Sequence, residues 1–202
     1  MYRNSQKRIL EPEEIYFITT NTLERFPYFR NTIFCELFIE ELKLCKAAKK
    51  FELYAFCVLY DHIHLLLKPS EEENLSKVMQ FIKRHFGRSV NYVLGLNEGD
   101  IRECRLRESK YNALQNMIDK HDLLIKNFKT QFYTLPASHR LEIPEFKWQK
   151  SFHDHIIRDE KDFEYHWNYT SYNFDKHHED GYPENYLYTS LNYEEMVDSV
   201  EF

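Results

Sequence analysis

The 202 residues carry a formal charge of −6, 16% aromatic side chains and 4 glycines. A chain so rich in rings and so poor in glycine can bury one sizeable core, and it holds neither a dinucleotide fingerprint nor a phosphate-cradling P-loop. Its acidic balance excludes a whole-chain basic footprint for nucleic acid, so any phosphate contact has to come from local patches.

In chain order, residues 15–21 form a short β-branched and aromatic strand. Ile33, Phe34, Leu37, Phe38, Leu42 and Leu44 recur at helical spacing and predict an amphipathic helix over 31–49. Residues 51–60 and 62–68 read as two strands joined tightly at Tyr60-Asp61, hence antiparallel neighbours. A second helix begins at an Asn74 cap and runs through Val78, Phe81, Ile82, Phe86, Val90 and Val93. Its exposed side carries Lys77, Lys83, Arg84 and Arg88, either a solvated face or a surface for backbone phosphates. Residues 97–145 break the rhythm; 105–128 predict one helix or two, and Pro136 and Pro144 bracket the return. Residues 146–157 predict a further strand. Asp159, with Asp162 three positions on, caps a helix expected over 160–175.

This order predicts an α+β sandwich, one antiparallel sheet with helices on one face. The whole is expected to be a single domain over 1–202, with a mostly helical insertion at about 97–145 and a tail from about 178. Cys35, Cys45, Cys57 and Cys104 form no CxxC pair and read as reduced, mostly buried thiols. No segment is long enough to span a bilayer and the first residues form no apolar signal region, so a cytoplasmic protein with no membrane partner is expected.

The chemistry-bearing residues fall in two places. His62 and His64 alternate within an apolar strand, so both imidazoles project from one face. They are half of a metal site or two histidines on a wet sheet face. On the late helix Phe163, Trp167, Thr170 and Phe174 form the core stripe, while Tyr165, Tyr169, Asn173 and Lys176 form another flank. Tyr169 and Asn173 are four apart and stack on that flank. Facing the histidine strand, it would give a divalent ion two imidazole nitrogens and the Asn173 amide oxygen, with Tyr169 beside it. Such a site suits in-line attack of a phenolate on a phosphate. Tyr169 as packing, Asn173 as a helix cap and Lys176 as a solvated lysine stay open, and Tyr172 is the rival nucleophile. His153 and His155 read as sheet-face histidines.

The strand Asp61-His62-Ile63-His64, the segment from Trp148 to Glu160, and Tyr169-Thr-Ser-Tyr-Asn173 with Lys176-His177 resemble the single-tyrosine HUH transposases. More narrowly, the chain resembles the IS200-like family, including the relatives associated with repetitive extragenic palindromes (REP). The resemblance implies a ferredoxin-like domain that nicks single-stranded DNA through a 5′-phosphotyrosine and transfers the strand. It further implies His62, His64 and Asn173 as ligands of Mg²⁺ or Mn²⁺ and Tyr169 as the nucleophile, with single-stranded or hairpin DNA as partner. Lys77, Lys83, Arg84, Arg88 and Lys176 are the candidate DNA contacts. A homodimer is left open. Relatives usually carry proline where Phe174 stands, and Phe174 lets the helix continue. A domesticated, non-catalytic nucleic-acid binder on the same fold is the alternative, and a phosphoesterase using an activated water is a third reading.

Overall fold

The computed structural model describes residues 14–96, 113–140 and 142–200. Four strands, β1 (Tyr16–Asn21), β2 (Glu52–Leu59), β3 (His62–Lys68) and β4 (His153–Ile156), form one antiparallel sheet in the order β2-β3-β1-β4. With α1 (Thr32–Lys49) between β1 and β2 and α2 (Leu75–Val93) between β3 and β4, this is the ferredoxin-like sandwich. Short polar caps start three of the helices, two of them, Asn74 and Asp159, as the sequence predicts. Asn31 accepts from the Ile33 N–H at 3.1 Å, Asn74 from Lys77 N–H at 2.9 Å, and Asp159 from Asp162 N–H at 2.9 Å.

The sheet is covered on both faces, not one. Tyr16 and Ile18 of β1 and Ile63, Leu65 and Leu67 of β3 pack into the main core with α1 and α2. Phe17 of β1 and Leu66 of β3 point the other way, against Phe163 and Trp167 of α4 (Glu160–Ser171). Burial on both sides explains why β2 and β3 read as largely apolar runs rather than alternating ones. The open edge of β2 is closed by the tail: Val58 N–H donates to Tyr188 C=O at 2.9 Å, and Tyr186 hydroxyl donates to Val58 C=O.

Two elements differ from expectation. The strand predicted over 146–157 is reduced to His153–Ile156, because Phe146 and Trp148 turn into the core instead. The Asn91 side chain takes the Phe146 N–H at 2.7 Å and donates to its C=O at 3.1 Å, and Trp148 Nε1 donates to Lys83 C=O at 3.1 Å. These bonds tie the segment to α2, while its backbone keeps only an isolated antiparallel bridge, Trp148 with Thr22, beside the end of β1. The late helix stops at Ser171 rather than 175; Tyr172 caps it at φ −113°, ψ 19°, and a 3-10 segment, Asn173–Asp180, follows. Phe174 does not prolong the helix but draws the chain into the main core against Tyr186, ring centroids 5.6 Å apart.

In the interruption after α2, α3 (Gln115–Thr134) packs on α1 and α2 through Phe128 and Phe132. The part of the predicted helix over 105–112 lies outside the described residues, as does Cys104. Cys35, Cys45 and Cys57 are free and buried. Among the described residues no helix is long and apolar enough to cross a membrane.

Candidate active site

The face of the sheet under α4 carries the chemistry. Period two along β3 turns His62, His64 and Leu66 to that face, and antiparallel pairing sets Thr19 of β1 opposite His64 and Asn21 opposite His62. The two imidazoles meet edge to face, centroids 5.0 Å apart, and both are buried.

Each ring is held by its Nδ1. Thr19 Oγ1 lies 2.8 Å from His64 Nδ1, and Asp61 Oδ1 lies 2.6 Å from His62 Nδ1. Arg25 in turn reaches both Asp61 carboxylate oxygens at 3.3 Å. Where Nδ1–H is donated to these oxygens, Nε2 carries the lone pair; the Arg25 guanidinium also lies 3.2 Å from His62 Nδ1. Burial first, then the neighbouring His62 and His177, pushes the His64 pKa down to about 3, so this imidazole is neutral and free to ligate. Burial alone would raise the Asp61 pKa, but the hydrogen bond and charge of His62, then Arg25, hold it below the usual carboxylate range.

Asn173 arrives at this face from the first 3-10 turn, not from a continuous helix. It is 1% exposed, and its amide lies against His64, partly offsetting the shift, short of hydrogen-bond geometry. Neither its Oδ1 nor its Nδ2 has a hydrogen-bond partner, and the same holds for His64 Nε2. Buried polar atoms are rarely left so, since each costs on the order of 1–3 kcal/mol. An imidazole nitrogen and an amide oxygen orphaned together, with the second imidazole alongside, are a donor set that fits a divalent cation.

Tyr169, two residues before the end of α4, stands beside the pair. Its ring meets His64 edge-on at 5.4 Å and Phe17 at 5.5 Å, and the Lys176 ammonium lies 3.7 Å from its centroid. Tyr172 instead lies 43% exposed near Trp167, rings 6.4 Å apart. The fold therefore brings His62, His64, Tyr169, Asn173 and Lys176 together.

The basic stripe of α2 is not part of this face: Lys77, Lys83, Arg84 and Arg88 ride on the helix packed across the sheet. Lys83 Nζ donates to the carbonyls of Gln149 at 2.7 Å and Ser151 at 3.1 Å, which makes it a loop anchor. The cations that do line the cleft, Arg25 and Arg30, come from the β1–α1 loop, where Glu24 and Arg25 adopt left-handed φ of 55° and 58°. The cleft encloses about 710 Å³ and is closed on one side by Tyr60 and Tyr182, stacked at 3.9 Å, with the Arg30 guanidinium 4.5 Å from the Tyr60 centroid. Sequence reading missed Thr19, Arg25, Arg30 and this tyrosine pair. Only the place of Thr19 opposite His64 was recoverable, from strand register.

Comparison with known proteins agrees with this fold. Residues 15–98 match the family model described as "Transposase IS200 like". A Haemophilus influenzae protein provisionally named a REP-associated tyrosine transposase is 28% identical over 128 residues, 63% of this chain and 51% of the relative. The match thus spans about half the length of that relative. A solved structure of a REP-associated tyrosine transposase bound to a REP hairpin superposes with a TM-score of 0.58 at 17% identity, over 99% of this chain and 95% of the other. At that identity the likeness shows the fold. The matched residues 15–98 run from β1 through α2 and include the strand that carries His62 and His64, so over this stretch the chain is similar to the IS200-like transposases.

Proposed function

We propose that the protein is a metal-dependent nuclease and strand transferase acting on single-stranded or hairpin DNA, with Tyr169 as nucleophile. The observation that carries this is the meeting of the Tyr169 ring with His64, while the Nδ1 atoms of His62 and His64 are held by Asp61 and Thr19. His62 Nε2, His64 Nε2 and Asn173 Oδ1 would hold the ion. Mg²⁺ or Mn²⁺ bound there supplies Lewis-acid polarisation of a phosphate oxygen.

The chain's own residues do the rest. The Tyr169 phenol gives up its proton and its oxygen attacks phosphorus, forming a tyrosyl 5′-phosphate ester. The bond to the 3′-oxygen breaks, and that oxygen takes up a proton and leaves as a free 3′-hydroxyl. Attack by a 3′-hydroxyl reverses these steps and joins strands without a nucleotide cofactor. Lys176 stands over the phenol ring as a counter-charge to the phosphate. Arg25 and Arg30 would pair with the backbone. The named relatives, one of them solved on a REP hairpin, support this choice of substrate.

Tyr169→Phe is expected to abolish covalent protein–DNA adducts on a hairpin-bearing single strand with Mn²⁺ while leaving binding intact, and Tyr172→Phe to keep the adducts. Adducts that survive Tyr169→Phe overturn the assignment.

A further inference from the structure

A second group of ligand-bearing side chains lies on the same sheet face, beyond Phe17. His155 of β4 pairs opposite Phe17, and Asp162 and His166 are one turn apart on α4. One ligand atom from each of the three falls within 4.8 Å of the other two. Asp162 Oδ2 lies 2.8 Å from His155 Nε2, and Asp162 Oδ1 lies 3.0 Å from His166 Nδ1. The two imidazoles stack with centroids 4.6 Å apart. The Phe17 ring separates this group from the histidine pair, stacking on His64 at 5.4 Å and touching His166 at 4.8 Å.

We infer that His155, Asp162 and His166 form a second metal site, selective for a borderline first-row ion of the Zn²⁺ class. Two imidazoles and one carboxylate with a coordination position left for solvent are a donor set typical of Zn²⁺, unlike the oxygen-rich sets of Mg²⁺. Bond lengths near 2.1 Å put ligand atoms about 3.4 Å apart in a tetrahedral shell. Each imidazole now lies against its own Asp162 oxygen, at 2.8 and 3.0 Å, and one ligand atom from each residue already falls within 4.8 Å of the others, so small side-chain shifts reach that spacing. The side chains are 35%, 20% and 14% exposed for His155, Asp162 and His166, which leaves an entry path from solvent. At present imidazole protons hold the rings, with His166 Nδ1 also 2.9 Å from the Asp162 carbonyl and Asp162 Oδ2 also accepting from the Arg158 N–H at 3.1 Å. Uptake of the ion replaces these hydrogen bonds: each ring would bind through the nitrogen that now faces Asp162 and carry its proton on the other nitrogen. The ion would tie edge strand β4 to the first turns of α4. Only the consequence that this steadies Tyr169 two turns on rests on the reading of that residue as nucleophile.

The test counts bound Co²⁺ per chain after dialysis and follows its visible absorption, comparing the wild type with His155→Gln and His166→Gln. Glutamine at either position keeps a polar group there but is a poor ligand. Each variant is expected to bind one Co²⁺ fewer, with site affinity down at least about tenfold, to lose the four-coordinate band, and to retain the far-ultraviolet circular dichroism of the wild type. His62→Ala/His64→Ala should keep that band whatever happens at the other site. Equal counts in the wild type and in whichever glutamine variant folds, or a band that disappears with His62 and His64 alone, overturns the inference. The count difference is indifferent to whether Tyr169 cleaves DNA.

Discussion

Thr19 and Thr20 are neighbours on β1 that face opposite sides of the sheet, and they provide a matched test of the metal reading. Thr19 Oγ1 holds His64 Nδ1 at 2.8 Å, whereas Thr20 Oγ1 is buried on the α1 side without a hydrogen-bond partner. Thr→Val keeps the β-branched shape at both positions and removes only the hydroxyl. At Thr19 the loss frees the His64 ring to rotate and removes the bond that directs Nε2 to the ion. Partners of this kind are worth about 10–100-fold in metal affinity, or about 1.4–2.8 kcal/mol. At Thr20 the loss removes an unsatisfied hydroxyl and should be neutral or stabilising. Mn²⁺ titration followed by water proton relaxation measures both affinities, and the Mn²⁺ dependence of DNA cleavage should shift by the same factor. The reasoning fails if Thr19→Val binds Mn²⁺ within twofold of the wild type, or if Thr20→Val loses as much.

Other outcomes follow from the same geometry. Arg25→Ala and Arg30→Ala should each weaken single-stranded DNA binding and flatten the slope of log K against log salt by about 0.7 for every phosphate no longer neutralised; Arg84→Ala should leave that slope unchanged, as a fluorescence-anisotropy salt series would show. The His64 pKa is lowered from 6.5 to about 3 on folding, so between those values the unfolded chain binds the extra proton and stability falls as pH falls. Replacing His64 with Asn should remove that dependence, up to about 1.4 kcal/mol per pH unit, and parallel curves for metal-free wild type and variant in urea titrations would refute it. Phe174→Ala empties a site that is 5% exposed beside Tyr186. It should cost about 3–5 kcal/mol, seen as a lower urea midpoint; a loss under about 1 kcal/mol, the range of an ordinary surface change, would show that Phe174 does not anchor the 3-10 segment.

How much of this is legible in the sequence depends on periodicity. The helices α1 and α2 and the strands β1, β2 and β3 follow from apolar spacing and from Asn74 as a cap, because local pattern and burial agree there. The pairing of His62 with His64 follows from the two-residue repeat alone. Helical spacing points to Asn173, yet that residue reaches the site because the helix ends: Tyr172 leaves helical geometry and Phe174 is pulled toward Tyr186, a tertiary contact invisible in the local pattern. The cleft arginines escape notice because Arg25 lies in an irregular loop with left-handed residues, which no periodicity marks. The stripe on α2 is legible as a charged face, but the side of the sheet it covers, opposite the histidine pair, is not. His155, Asp162 and His166 become a group only once β4 and α4 are docked.

The central claim is that one divalent ion is held jointly by β3 and the turn after α4, within reach of Tyr169. Crystals grown with Mn²⁺ and measured at the manganese absorption edge test it directly. The account predicts an anomalous peak within coordination distance of His62 Nε2, His64 Nε2 and Asn173 Oδ1. Manganese found only elsewhere, or a peak that leaves Asn173 and either imidazole uncoordinated, would contradict it.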